Sequence, residues 1–188
     1  MHRIIIVFLL LVSYQYGIAQ NGADFKFGPV LLQTESAKFT KSSQYHNGWQ
    51  IGIKARFGRD RFYFNPGFFY RTVQLSSSPN INPFQAKEKM TLLNFPVDMG
   101  IRIIRSQTFS MRLFSGVSLN YIQSIEENNL GLNLDSVNDV HFNGDIGIGF
   151  DIYWLTIDAV FEKGLLNIFK DDKPSKGDYF NVSLGFFF

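Results

Sequence analysis

Apolar and polar residues alternate with a period of two along most of the chain, and this pattern predicts eight β-strands. The last predicted strand alternates large apolar residues with small or polar ones and runs to an aromatic residue. A soluble protein rarely leaves so apolar a strand at a free edge, whereas a closed barrel pairs its last strand with its first. The predicted strands are Asp24 to Thr34, Gly48 to Phe57, Arg61 to Thr72, Lys89 to Ile103, Thr108 to Gln123, Val140 to Tyr153, Leu155 to Ile168 and Asp178 to Phe188.

The connections between these strands are alternately long and short. Polar segments follow the odd-numbered strands, at 35–47, 73–88, 124–139 and 169–177, whereas only tight turns follow strands two, four and six. Outer-membrane barrels have this layout, with short turns in the periplasm and long loops outside the cell. The sequence therefore predicts an all-β fold, an eight-stranded antiparallel up-and-down transmembrane β-barrel of the OmpA/OmpX type, with periplasmic termini.

The first 19 residues have the pattern of a secretory signal peptide. A basic start, Met1-His2-Arg3, precedes the apolar run Ile4 to Val12, and Gly17-Ile18-Ala19 supplies small residues for cleavage. The nine apolar residues of that run are too few for an anchor helix, which needs about 20. We expect cleavage after Ala19, with residues 1–19 as the signal and 20–188 as the outer-membrane barrel domain.

The composition fits a barrel better than a helical membrane protein. The chain contains 21 Phe, 8 Tyr and 2 Trp, yet it has no later apolar run long enough for a transmembrane helix. Its mean hydropathy is only −0.03, as expected when one face of each strand meets lipid and the other is polar. A net charge of +2 gives no electrostatic case for nucleic acid, and the lack of cysteine excludes disulfides and thiolate sites.

Strand parity assigns the apolar residues to lipid and the polar residues to a narrow lumen. Most strand glycines share the inward parity; Gly144 breaks it, which predicts a bulge. Six basic and five acidic residues are predicted to face inward. They form either a plug of ion pairs or the lining of a charged pore; their near-neutral balance favours the plug. This predicted lumen ionic network comprises Lys26, Lys54, Arg56, Arg71, Asp98, Arg102, Arg112, Asp145, Asp151, Asp158 and Glu162.

Catalytic and metal-binding candidates are few. His141 can be combined with Asp139 and Ser136 into a triad on paper, but we interpret both mature-chain histidines, His46 and His141, as solvated residues at the rim. Two histidines are too few for a metal site, and Asp171-Asp172 is interpreted as a solvated acidic turn rather than a calcium site. We expect no enzyme activity and no cofactor. Lys163 has lipid-facing parity, which indicates either snorkelling to lipid head groups or a shifted register.

Short motifs along the mature chain resemble the PorT-like outer-membrane β-barrel family of Bacteroidota. They are Ile18-Ala19-Gln20, Leu93-Asn94-Phe95-Pro96-Val97, the stretch from Phe161 to Ile168, and Ser183-Leu184-Gly185-Phe186-Phe187-Phe188. Some members of that family are associated with protein secretion, which implies envelope or secretion proteins as partners. The resemblance also implies an assembly signal at Gly185, Phe186 and Phe188 for transient recognition by the barrel-assembly machinery, so deletion of Phe188 is expected to impair insertion.

Four functions remain open from the sequence. The leading hypothesis is a non-enzymatic integral barrel in outer-membrane lipid and lipopolysaccharide, acting through four extracellular loops or through partner proteins. The first alternative is a narrow porin-like channel for small solutes or ions. Others are a lipid-modifying enzyme and a soluble lipocalin-like carrier, whose apolar parity would face inward around a ligand.

Overall fold

The computed structural model describes residues 22–34, 45–59, 61–75, 89–126, 137–168 and 175–188, so the predicted signal peptide lies outside the described residues. The strands form one closed antiparallel sheet in chain order, and β8 pairs with β1. The predicted eight-stranded barrel is therefore confirmed. The strands are β1 (Gly22–Thr34), β2 (Tyr45–Arg59), β3 (Phe62–Gln74), β4 (Lys89–Arg105), β5 (Phe109–Ile125), β6 (Val140–Ile152), β7 (Leu155–Gly164) and β8 (Gly177–Phe187).

The seam between β1 and β8 closes the barrel. Its register pairs Asp24 with Phe187 at one end and Thr34 with Gly177 at the other. Backbone hydrogen bonds continue one residue past the end of β8. Ala23 N donates to Phe188 O at 2.8 Å, and Phe188 N donates to Ala23 O at 3.0 Å. The predicted pairing of the terminal strand with the first strand is therefore correct.

Strand β7 ends four residues before the predicted boundary at Ile168. Leu165 N still donates to Phe142 O at 2.9 Å, but the chain then leaves the sheet, and Asn167 forms an isolated bridge with Lys176. Ile168 is buried because this segment turns inward over the lumen. Ile168 therefore covers the interior, whereas Leu165 and Leu166 stay exposed on the outside.

The two ends of the barrel differ in their connections. We call one the turn end: it carries the short connections at 60–61, 106–108 and 153–154, together with Gly22 and Phe188. The other, the loop end, carries the strand ends joined by segments 35–44, 76–88, 127–136 and 169–174. At the turn end, Tyr153 has a φ of 54°, a left-handed conformation imposed by the two-residue turn between β6 and β7.

The outer wall is a continuous apolar surface, as the strand parity predicts. Aromatic side chains gather near both rims. Trp154 stacks on Phe186 at the turn end, and the ring centroids of Trp49 and Tyr70 lie 5.8 Å apart towards the loop end. Belts of this kind mark the two membrane interfaces of an outer-membrane barrel. Within the described residues, no helix has the length and apolar character needed to cross a membrane.

The predicted bulge at Gly144 is wrong. Gly144 pairs regularly with Val117 on one side and Lys163 on the other. Its outward position is simply open, since only Leu165 Cδ2, at 4.0 Å, lies near the position of an added Cβ. The register shifts instead lie in the β4–β5 pair, at Thr91/Leu92 and between Arg102 and Ile104.

Candidate functional site

The interior of the barrel changes character from one end to the other. Along β4, the inward side chains include Arg102 and Asp98 towards the turn end, then Asn94, then Leu92 towards the loop end. Strand β5 repeats this order with Arg112, Asn120 and Ile122. The site therefore consists of three layers, which we call the ionic network, the amide layer and the apolar plug.

All eleven residues of the predicted network face the interior, and Asp24 joins them. Asp24 has the same parity as Lys26 and is fully buried, so parity alone was sufficient to identify it. With Asp24, the network contains six acidic and six basic side chains. Charges buried this deeply are stable only when paired and hydrogen-bonded, so the partner of each one matters.

Arg112 is the centre of the network. Its Nη2 donates to Asp151 Oδ1 and Asp158 Oδ1, both at 2.8 Å, and to Thr156 Oγ1 at 3.0 Å. Lys26 Nζ lies 2.8 Å from the other oxygen of Asp158 and also donates to Thr156 Oγ1. Two cations thus share one carboxylate and one hydroxyl, and neither cation is in contact with solvent.

Arg56 extends this cluster towards the turn end. Its Nη2 donates to Asp24 Oδ2 and its Nη1 to Asp151 Oδ2, each at 2.9 Å. The guanidinium lies 4.5 Å from the Phe187 ring centroid, which adds a cation–π contact. Across the lumen, Lys54 Nζ donates to Asp98 Oδ2 at 2.6 Å.

Arg71 links the ionic network to the amide layer. It forms a bidentate pair with Glu162, with N–O distances of 2.6 and 3.0 Å, and also donates to Gln50 Oε1. Gln50 in turn donates to Asn181, whose amide donates to Glu162 Oε1 at 2.8 Å. The resulting closed ring of hydrogen bonds joins β2, β3, β7 and β8.

Two further members of the predicted network have other neighbours. Asp145 accepts a hydrogen bond from Ser118 Oγ at 2.9 Å and forms no ion pair among the described residues. Arg102 lies over the Tyr63 ring, 5.3 Å from its centroid, at the mouth of the turn end. Their placement depends on side-chain reach across the lumen, which sequence parity does not specify.

The amide layer was not recognised in the sequence. Asn94 donates to Asn120 at 3.0 Å, Asn120 to Asn143 at 3.3 Å, and Asn143 to the Gly177 carbonyl at 3.2 Å. This chain crosses β4, β5, β6 and β8. All of these residues share the inward parity of charged residues on their own strands, and that parity was the available signal.

The apolar plug is the largest departure from the predicted lumen. Inward parity continues to the loop end, where the side chains become aliphatic and pack together away from lipid. Val137 and Ile168 come from segments beyond the strand ends and complete the packing. The plug consists of Val30, Leu32, Val73, Leu75, Met90, Leu92, Ile122, Val137, Ile168 and Tyr179.

The interpretation of the two histidines as solvated rim residues is wrong. His46 and His141 are both buried, because both have inward parity and the loop end of the lumen is filled by apolar side chains. His141 Nε2 lies 3.2 Å from the Tyr179 hydroxyl and its ring stacks on that of Tyr179. Asp139 is exposed instead, and Ser136, like Asp171 and Asp172, lies outside the described residues.

Inward glycines accommodate aromatic rings from the adjacent strand. Tyr63 lies against Gly100 and Phe114 lies against Gly147, so a Cβ at either glycine would overlap the ring. Tyr63 in turn contacts Arg56, Arg102 and Arg112 through its ring face. These glycines therefore make room for the rings that separate and cover the buried guanidinium groups.

Little free space remains in the middle of the barrel. A cavity of about 10 Å³ lies among Gln50, Lys54, Arg71 and Asp158, which is roughly the space of a single water molecule. Among the described residues, no cluster of three or more His, Cys, Asp or Glu side chains is arranged to hold a metal ion. Chemically, the arrangement is a hydrogen-bonded filling of the barrel.

Lys163 lies outside the lumen. Its side chain is 58% exposed, and Nζ lies 2.5 Å from Asp178 Oδ2 on β8. The β6–β7 register is regular at this position, which excludes the shifted-register alternative. Gly185 points inward, whereas Phe186 and Phe188 are exposed on the outer wall at the turn end; recognition of these residues during assembly stays a prediction.

Solved outer-membrane proteins share this fold. Neisserial surface protein A (NspA) aligns with a TM-score of 0.56 and 11% identity, covering 88% of this chain and 97% of that protein. Ail, the attachment invasion locus protein of Yersinia pestis, gives 0.54 and 12%, covering 89% and 99%. The outer membrane enzyme PagL gives 0.54 and 11%, covering 87% and 98%. At these identities the likeness concerns the fold alone.

No curated protein matches the sequence. Residues 12–170, however, match the family described as outer membrane protein beta-barrel domain. This match covers most of the chain and agrees with the closed eight-stranded sheet, the apolar outer wall and the aromatic belts. The chain therefore belongs to the outer membrane protein beta-barrel domain family.

Proposed function

We propose that this protein is a non-enzymatic barrel that acts through the segments at its loop end, by binding partner proteins of the cell envelope. The filled interior is the observation that carries the proposal. The ion pairs, the amide layer and the apolar plug occupy the lumen in succession, so the described interior offers no continuous path from one end to the other. We therefore expect the function to lie in the segments that join the strands at the loop end, outside the barrel wall.

The polar character of the long connections supports this assignment. Four segments, 35–44, 76–88, 127–136 and 169–174, join strands at one end, whereas the turn end carries only short connections. We place the turn end and both termini in the periplasm and the loop end outside the cell, as this asymmetry favours. The partners would be envelope proteins, including those of secretion, as the PorT-like resemblance implies.

The arrangement of the charged residues argues against an enzyme. The carboxylates of Asp151, Asp158 and Glu162 are each bound by buried cations, and His141 is held against Tyr179 within the plug. A general base needs access to a substrate proton. These groups instead stabilise one another, which supports a structural role for the network.

Planar-bilayer recording tests the absence of a channel. The purified full chain should produce no stable single-channel steps under conditions in which an established porin conducts, and Lys163→Ala, which alters only the outer wall, should behave identically. Large, stable steps from the wild-type chain would overturn the proposal and favour the porin-like alternative.

Replacement of the loop-end segments tests the positive part of the proposal. Each of the four segments is replaced, singly and together, by Gly-Ser sequence of equal length. We expect every variant to retain heat-modifiable migration, while the fourfold variant loses both complementation of a deletion strain and site-specific cross-links to envelope proteins. Full complementation by a folded fourfold variant would contradict a loop-mediated function.

A further inference from the structure

A groove lies on the outer wall of the barrel, across the β1–β8 seam and the adjoining strand β2. Its volume is about 510 Å³, within the range of about 300–1,000 Å³ that is usual for small-ligand pockets. It lies outside both the lumen and the loop-end segments, so its role is independent of the proposed function. Its outward side chains include Phe27, Trp49, Ile51 and Leu184, with Pro29 and Val182 between them.

The groove exists because two small side chains meet at the seam. Pro29 on β1 and Val182 on β8 occupy facing positions on the outer wall, as the register of the seam requires. The outward pairs on either side are larger, namely Phe27 with Leu184 and Leu31 with Phe180. The seam therefore has a low point on a wall that is otherwise built of bulky residues.

The floor of the groove is rigid and lies over a gap in the seam. The β1–β8 ladder is interrupted at Gly28 and Pro29, between the pairs formed by Phe27 and Val30. Proline has no N–H to donate across the seam, and its ring fixes φ near about −65°. An occupant of the groove would lie directly over this interruption and pack against a surface that does not rearrange.

The length of the groove confines it to one leaflet. Its lining on β1 runs from Phe25 to Pro29, which is about 13 Å at about 3.3 Å per residue. That length is no more than about half of the apolar band of an outer-membrane barrel, which is about 25 Å tall. Towards the loop end, the next outward residues are Gln33 on β1 and Asn47 on β2. Polar side chains at that level place the lipid head groups next to the loop-end side of the groove.

We propose that this groove binds an unbranched acyl chain of a membrane lipid whose head group lies at the loop end. The described lining includes no charged side chain that could hold a head group. Lipid tails are as apolar as the wall itself, so the preference must come from shape. An unbranched chain can lie over Pro29 and Val182 and fill the groove, whereas a wider chain leaves part of it without contacts.

A second copy of the barrel fits the groove less well than a lipid chain. The outer wall of a closed barrel is convex, so two such walls meet along a narrow strip and leave a concave site unfilled. A flexible acyl chain can follow the low point between Phe27 and Trp49. The groove is also continuous with the lipid-facing wall, where acyl chains are already abundant.

Trp49 reports directly on the occupant, because it lines the groove and is one of only two tryptophans. The full chain carrying Trp154→Phe is folded into vesicles of dioleoyl phosphatidylcholine whose chains have been brominated. Bromine quenches tryptophan on contact and also widens the chain. Unbrominated dioleoyl phosphatidylcholine is then added in increasing fractions, with an identical head group. We expect half of the Trp49 fluorescence to return at about one sixth unbrominated lipid, which corresponds to a preference of about fivefold.

The reference for ordinary lipid contact is the variant Trp49→Phe, which retains Trp154 at the turn end. Trp154 does not line the groove, so its half-recovery is expected at about equal amounts of the two lipids, the result for a site without shape preference. Equal half-recovery fractions for Trp49 and Trp154 would overturn the proposal. Trp49 that is unquenched in fully brominated vesicles, and becomes quenched as the protein is diluted, would instead assign the groove to a second copy.

Substitutions at the floor link the preference to the groove. Val182→Phe, made together with Trp154→Phe, is expected to move the half-recovery of Trp49 to about equal lipid fractions, because the ring occupies the low point. Val182→Leu should give a smaller shift in the same direction. Val117→Phe is the matched control, since Val117 is an exposed outer-wall valine on β5 that does not line the groove. Heat-modifiable migration checks folding. An unchanged preference in folded Val182→Phe, or an equal loss in Val117→Phe, would contradict the assignment.

Discussion

The two halves of the lumen share one strand parity but are filled by different interactions. In β1, the inward face carries Asp24 and Lys26 towards the turn end and Val30 and Leu32 towards the loop end. The ionic half is stabilised by directional hydrogen bonds and ion pairs between specific partners, whereas the apolar half is stabilised by close packing and by the exclusion of water. Inward parity in a narrow barrel therefore means burial, and it does not by itself mean polarity.

The two halves should respond differently to substitution. Removing one partner from the ionic half leaves a buried charge without compensation, a large penalty that depends on charge rather than size. Removing methylenes from the plug leaves a void, a penalty that depends on size. Each variant below is compared by its free energy of unfolding, from guanidinium titrations in lipid vesicles that follow the fluorescence of Trp49 and Trp154.

The largest loss is expected for Arg112→Ala. This substitution removes the cation shared by Asp151 and Asp158, and disruption of a buried pair costs about 4 kcal/mol. Conductance should stay at the wild-type level, because the apolar plug is unchanged. A loss below about 1 kcal/mol would show that the network does not stabilise the barrel.

Leu92→Ala should produce the next largest effect. Leu92 is fully buried in the plug, so truncation is expected to cost about 3 kcal/mol through lost contacts and a residual void. Leu92→Met conserves volume and should cost less than about 1.5 kcal/mol. Equal losses of unfolding free energy in both variants would indicate that side-chain volume does not determine the stability of the apolar plug.

Gly100→Ala tests the packing that joins the rings to the charges. An added methyl group would displace Tyr63, which covers Arg56, Arg102 and Arg112, and should cost about 2 kcal/mol. Gly144→Ala is the matched control, because its methyl group would point into open space on the outer wall. A loss of stability in Gly144→Ala as large as that in Gly100→Ala would contradict the role assigned to ring packing.

The smallest effect is expected for Lys163→Ala. Its pair with Asp178 is short, but the lysine side chain is 58% exposed, and exposed pairs contribute about 0–1 kcal/mol. The difference in unfolding free energy between this variant and Arg112→Ala compares an exposed ion pair with a buried one. Raising the salt concentration should reduce the Lys163 effect further and leave the Arg112 effect nearly unchanged.

Strand parity was sufficient to predict much of the fold. It identified the eight strands, the outward apolar wall and the inward position of residues such as Arg112 and Glu162, because a period of two maps directly onto the two faces of a sheet. The seam followed from the same pattern, since a closed sheet must pair its first and last strands. The family of outer-membrane barrels was thus accessible from the sequence.

Other features of the interior were not accessible in this way. The apolar plug was missed because apolar residues were equated with lipid, although Val30 shares the parity of Lys26. The buried state of His141 depends on Tyr179, a residue from a different strand. Pairings such as Arg71 with Glu162 depend on how the strands are staggered around the barrel, and the register shifts in β4–β5 have no local sequence signal.

The β1–β8 seam also imposes an order on biosynthesis. The first and the last strand pair with each other, so neither has its final partner until β8 has been synthesised. Pairing of such distant segments is slow, and exposed edges favour aggregation in the meantime. A polypeptide that is truncated before β8 therefore lacks the partner of β1 and cannot close the barrel, which favours aggregation through the unpaired strand edge.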